Sequence, residues 1–322
     1  MNAAKAFLPV AASLLLSGLL VSTAATAADA PRVVVSIKPI HSLVAAIMQG
    51  VGTPDLIVDG AASPHTYAFK PSNARSLQQA QVVFWVGPGM EAFLQKPLAS
   101  LGANATVVEL DDAPGITKLK FREGGAFEPH DDGDEHDTGD DHAHGHDHGE
   151  FDTHLWLDPH NAKAMVAEIT TSLVAADPAN ALTYEANQKA LNDKLDALDT
   201  EIATTVAPVK DKPFIVFHDA YQYFEHRYGV RVSGSITVSP ETIPGAQRVA
   251  EIHSKVADLG ATCVFAEPQF EPKLVNVVLE GTSAKSGVLD PEAATLPQGP
   301  DLYFDLMRGI ASSLKTCLSA QG

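Results

Sequence analysis

The chain is short of two things, cysteine and positive charge. Cys263 and Cys317 are its only cysteines, and nothing in the sequence suggests further ligands beside them, so a thiolate metal site is the weakest reading of the pair. In an exported chain an even pair favours a disulfide, with two buried free thiols as the alternative. Lys and Arg number 22 against 40 Asp and Glu, a formal charge of −18. Nucleic acid and anionic membrane surfaces are therefore poor partners. Beyond the N-terminus no stretch nears the uncharged apolar length that a spanning helix needs, which predicts a soluble mature chain. There is also no HExxH run, the signature of many zinc proteases.

Residues 1–27 read as a secretory signal: Lys5 gives a positive start, 7–21 an apolar run, and Ala25-Thr26-Ala27 a small-residue cleavage site. The run is too short for a comfortable membrane span, and no lipobox cysteine adjoins it. The expected location is the periplasm. About 295 residues remain, enough for two domains of ordinary size.

What the sequence has in excess is histidine beside carboxylate. Residues 128–150, EPHDDGDEHDTGDDHAHGHDHGE, hold six of the thirteen histidines (His130, His136, His142, His144, His146 and His148) and ten carboxylates. Such a segment has nothing to bury and a strong like-charge field, so it is expected to be a solvated loop. Neutral imidazoles crowded on a short tether should collect Zn²⁺, Ni²⁺ or Cu²⁺ weakly. The plainer reading is an acidic spacer.

Elsewhere the chain alternates. Apolar runs at 32–37 (RVVVSI), 56–58, 82–86 (VVFWV) and 107–110 are separated by helix-length patterns, and 214–217 (FIVF), 231–236, 263–266 (CVFA) and 287–289 repeat the scheme. That pattern predicts an α/β fold of two lobes with mainly parallel sheets. Between them, Asp177 and Pro178 resemble a helix cap and first turn, and Leu191, Leu195, Leu198 and Ile202 share one helical face. The expected organisation is a signal at 1–27, a first lobe at 28–176 containing the tract, a long connecting helix at 177–208 and a second lobe at 209–322. A single stiff helix between lobes should limit closure.

Seven histidines lie outside the tract. His65, His154 and His218 sit where apolar runs meet loops or helix starts, the edge at which open α/β sheets bind ligands. His41, His160, His226 and His253 fall within or at the start of helical patterns and read as ordinary residues.

At these positions the chain resembles the zinc-binding members of the cluster A-I solute-binding proteins of ABC importers, the ZnuA type. The markers are ASPHTYAFKPS around His65, HLWLDP from His154, FHDAYQYFEHRYGV around His218 and FAEPQF at 265–270. An acidic, His-rich insertion before HLWLDP is a further habit of zinc members. The resemblance implies metal in a cleft between two lobes, held by His65, His154 and His218. Asp290, or water, would complete a tetrahedron. Pro64 stands where some zinc members have Glu. A third imidazole at His218, where manganese and iron relatives place Glu, favours zinc. The resemblance also implies a disulfide between Cys263 and Cys317, and makes Glu267 and Lys70 supporting groups.

The expected function is capture of Zn²⁺ and its delivery to the membrane permease of an ABC importer, by a monomer that is not an enzyme. A periplasmic metal carrier acting on the tract is a further possible partner. The alternatives are a manganese or iron carrier, a surface adhesin, and a secreted zinc hydrolase using three His and an open fourth position. Because a preformed cleft avoids the ordering cost that a loop must meet on binding, deletion of 128–150 should leave one tight zinc site and remove weaker ones. Calorimetry on the truncated protein should show near-unit stoichiometry; loss of the tight site would put it in the tract.

Overall fold

A computed structural model describes residues 30–122, 127, 151–237, 244–258 and 263–319. The expected signal and the His-rich tract lie outside the described residues. The β-branched and aromatic runs form two four-stranded parallel sheets. The first comprises β1 (Val33–Val35), β2 (Asp55–Leu56), β3 (Val82–Trp85) and β4 (Thr106–Glu109), in the order β2-β1-β3-β4. The second comprises β5 (Phe214–His218), β6 (Val232–Thr237), β7 (Cys263–Ala266) and β8 (Lys285–Val288), in the order β6-β5-β7-β8. The two orders are the same when each sheet is counted from its own first strand. Parallel neighbours need crossovers, and the first lobe supplies α1 (Lys38–Ile47), α2 (Pro71–Gln79) and α3 (Gln95–Leu101). The second supplies α6 (Gln222–Tyr228), α7 (Ala246–Asp258), α8 (Lys273–Leu279) and the terminal α9 (Leu302–Ser319).

Two helices lie between the sheets in sequence, α4 (Pro159–Ala176) and α5 (Ala181–Val206). The long helix is present, but it starts later than its cap signal suggests. Pro178 opens a separate 3₁₀ turn, Pro178–Asn180. The Asp177 carboxylate accepts hydrogen bonds from Asn180 Nδ2 at 2.7 Å and Tyr184 OH at 2.9 Å instead of capping a backbone amide. The 26 residues of α5 rise about 39 Å at 1.5 Å each. The helix buries a stripe of Tyr184, Leu191, Leu195, Leu198, Ile202 and Val206 and packs against α1 and α4 as well as α6 and α9.

Strand parity divides the second sheet's side chains between two cores. Phe214 and Val216 of β5, with Cys263 and Phe265 of β7, join the large core that also contains the first sheet. Ile215, Phe217, Val264 and Ala266 enter a smaller core under α7 and α8. The large core passes without a break from Val83 and Phe84 through Trp156 and Tyr303 to Phe265. Each large side chain fully buried there contributes roughly 1.5–3 kcal/mol. Polar pins reinforce it: Trp156 Nε1 donates to the Pro291 carbonyl at 2.9 Å, and Tyr303 OH to the Trp156 carbonyl at 2.7 Å. At Gly287, register-paired with Phe265, a Cβ would stand 2.4 Å from that ring. Only glycine lets Phe265 lie over β8 and meet Phe214 edge-on.

Cys263 and Cys317 form the disulfide, with Cα atoms 6.2 Å apart. It ties α9 to the inner face of β7. Among the described residues no helix is long and apolar enough to cross a membrane. Opening the bridge by Cys263→Ser frees a loop of 54 residues in the unfolded chain. Denaturation should then show a loss of about 2–4 kcal/mol, with metal affinity little changed because neither cysteine adjoins the cleft histidines.

Candidate metal centre

Parity and register build one side of the centre. His218 ends β5 and continues the face of Phe214 and Val216, so its ring points toward the large core and the other lobe. Phe214 pairs with Cys263 and Ile215 with Val264; three residues further on, that register sets Glu267 beside His218. The Glu267 carboxylate oxygens lie 2.7 and 2.8 Å from His218 Nδ1. Both residues are almost fully buried. The pairing fixes the ring so that Nε2 faces the cleft.

The first lobe contributes the other two imidazoles. His65 stands in a 3₁₀ turn, Pro64–Thr66, whose preceding Ser63 accepts the His65 backbone amide at 3.3 Å. His154 directly precedes the turn Leu155–Leu157, which leads into α4. It is not at a strand end. Asp152, two residues earlier, accepts both the His154 backbone N–H at 3.0 Å and its Nδ1 at 2.8 Å. Asp152 is itself held by Tyr223, whose hydroxyl donates to its carbonyl at 2.6 Å. His154 Nε2 thus faces His218 Nε2 across 3.3 Å. The three rings surround one point, with ligand nitrogens of His65, His154 and His218 all within 4.8 Å of one another.

Electrostatics differ between the two buried rings. Burial holds His154 well below the ordinary imidazole pKa, and the neighbouring His218 adds to the effect. Burial also pulls His218 down, but the charge and hydrogen bond of Glu267 outweigh it and leave His218 raised. Asp152 is pushed up to about 7 by burial, against the hydrogen bond from His154 and the charge of Arg122. Arg122 reaches across to pair with Asp219 and Glu225 of the second lobe.

Residues 33–317 match the family described as "Zinc-uptake complex component A periplasmic". The chain belongs to that family. Its relatives include the Brucella suis "High-affinity zinc uptake system protein ZnuA", 58% identical over 91% of this chain and 93% of that protein. The Yersinia pestis protein of the same name is 37% identical over 95% of this chain and 96% of its own length. A solved ZnuA deletion mutant "plus zinc bound" superimposes with a TM-score of 0.74 at 26% identity, covering 91% of this chain and all of that one.

Within this zinc-uptake family member, Asp290 stands apart from the three imidazoles. It is not among the side chains gathered within 4.8 Å. Its carboxylate accepts from Gln269 Nε2 at 3.0 Å and from the amides of Glu292 at 3.3 Å and Thr295 at 3.5 Å. Lys70 lies over the Tyr67 ring, 5.2 Å from its centre. The other described histidines do structural work or face solvent: His41 Nε2 is 3.0 Å from the Pro54 carbonyl and His253 Nε2 2.7 Å from that of Glu280, while His160 and His226 are exposed. Asp152 is the functional group that sequence reading misses; a carboxylate two residues before a strand-free His has no periodic signature. Glu109, Asp111 and Asp112 also lie close together, but Lys118 pairs with Asp112 and they adjoin none of the imidazoles.

The raised His218 fixes the sign of the pH dependence. A proton competes with metal for this ring from above the ordinary imidazole range, so metal binding should weaken as pH falls through it. Glu267→Gln removes the cause of the rise. Its pH midpoint for loss of zinc should move down, while affinity at pH 8 falls about 10- to 100-fold as the ring loses its orienting partner. Competition titrations across pH measure both; an unmoved midpoint would mean that Glu267 does not govern the proton on His218.

Proposed function

We propose that His65, His154 and His218 hold one Zn²⁺ ion as cargo between the lobes, for transfer to the membrane permease of an ABC importer. The observation that carries this reading is the 3.3 Å separation of His154 Nε2 and His218 Nε2. Two nitrogens each about 2.05 Å from a tetrahedral zinc lie about 3.3 Å apart. The donor chemistry agrees: imidazole suits zinc, whereas manganese prefers carboxylate and carbonyl oxygen. Both buried rings have their Nδ1 committed to carboxylates, the arrangement that raises ligand basicity and fixes the tautomer.

Water or Asp290 takes the fourth position; for Asp290 the carboxylate has to exchange one of its present hydrogen bonds for the metal. The chain works in the periplasm as a monomer, after removal of 1–27. The tract 128–150 gathers zinc weakly or receives it from a periplasmic carrier, and its root favours this. Lys120 and Phe151 form an antiparallel bridge, so the insertion that contains the tract is closed at its base three residues before His154.

Alanine at His65, His154 or His218 should each remove most of the tight binding, since two imidazoles make a poor tetrahedral site. Asp290→Ala should cost less because water can replace it, and His41→Ala almost nothing. Calorimetric titration of the folded variants tests the set, and tight binding retained in any of the three cleft variants would displace that residue from the site.

A further inference from the structure

Lys38 occupies an unusual place for a lysine. It opens α1 and is only 6% exposed. A cation in the first turn opposes the helix dipole, and buried lysines are rare without a dedicated partner. The stability of α1 therefore does not account for it. Its ammonium crosses to the other lobe and donates to three backbone carbonyls, Ala293 at 3.1 Å, Ala294 at 2.9 Å and Leu296 at 3.2 Å. All three N–H groups of the side chain are thereby used. Ala293 has a positive φ of 56° without being glycine, which turns successive carbonyls of this loop to one side. The loop follows β8 and includes Asp290 and Pro291, the latter gripped by Trp156 of the first lobe.

We propose that Lys38 is a positioning residue for zinc: its ammonium acts as a fixed monovalent cation, coordinated by the 290–296 loop, that sets the spacing of the lobes at the cleft. The ligand sets of the two lobes then meet at metal-binding distance without lobe closure. This rests on the three-imidazole reading above. The donors of the first lobe, His65 and His154, and that of the second, His218, are not connected by any short path of chain. Lys38 supplies a charged cross-strut between the same two lobes.

Lys38→Ala removes the strut and leaves three convergent carbonyls that a small cation can fill. The variant should bind zinc on the order of 10- to 100-fold more weakly, mainly through faster release. Methylammonium at tens of millimolar should restore much of the loss, with no effect on wild type or on His218→Ala. Stopped-flow release of zinc to a chelator, with melting temperature measured in parallel, reads the two effects apart. A lowered melting temperature with unchanged zinc release, or a zinc defect that methylammonium leaves untouched, would overturn the proposal. Should Lys38→Ala not fold, hydrogen exchange on the wild-type protein decides. Amides of 293–296 should be equally protected with and without zinc; protection that appears only with zinc would assign the loop's order to the metal and not to Lys38. If the three histidine variants keep tight zinc, the site reading fails; if they lose it while Lys38→Ala keeps it, only the role of Lys38 fails.

Discussion

A tetrahedral ion tolerates errors of only a few tenths of an ångström in its donors, and here the candidate donors come from different lobes. The distance between those lobes is therefore the constraint on which the rest depends. Away from the strut that Lys38 makes, it is held by a core that does not stop at the lobe boundary: Phe84, Trp156, Tyr303 and Phe265 belong to one apolar cluster. Lobes joined by small polar interfaces move by default, whereas a large apolar interface holds them. Opening this cleft widely would expose Trp156 and Tyr303 and break their hydrogen bonds to the Pro291 and Trp156 carbonyls. The helix α5, packed along both halves, adds a second restraint of the same kind.

Within that frame the site handles charge by splitting it. The imidazoles that face one another supply the nitrogen donors, while the carboxylates that orient them, Asp152 and Glu267, stand behind the rings on the Nδ1 side. Each carboxylate is buried and spends its oxygens on a ring Nδ1 and on backbone amides. The two rings nevertheless have opposite proton preferences, since Glu267 presses directly on His218 while burial dominates at His154. A proton therefore competes with metal less at His154 than at His218.

Much of this was legible in the sequence, for reasons that particular residues make plain. The central strands β1, β3, β5 and β7 announce themselves because buried parallel strands are nearly continuous β-branched and aromatic runs, whereas the edge strands β2 and β8, with Asp55 and with Lys285, Ser286 and Gly287, give a weaker signal. His218 is placed by FIVF, since the next residue of a strand has a known face. Glu267 is legible as part of FAEPQF, but its partner is not, because that depends on the register between β5 and β7. Asp152 is hidden by its position just after a tract of many carboxylates. The helix α4 is left out of the sequence reading although Met165, Val166, Ile169 and Leu173 carry its spacing. Asp177 misleads because a good capping residue can bond to a side chain, here Tyr184, as readily as to an amide. The four-residue loop from Ala293 to Leu296 carries no periodic signal at all.

The bridge between Lys120 and Phe151 has a consequence for how this protein can change over generations. Its partners close the base of the insertion, so the backbone pairing next to His154 is made before and after the inserted residues and owes nothing to their number. Closing a flexible loop costs only about 0.6 kcal/mol more for each doubling of its length. Mutation can therefore lengthen, shorten or rewrite the inserted segment at little cost, while the geometry of the cleft stays under separate selection.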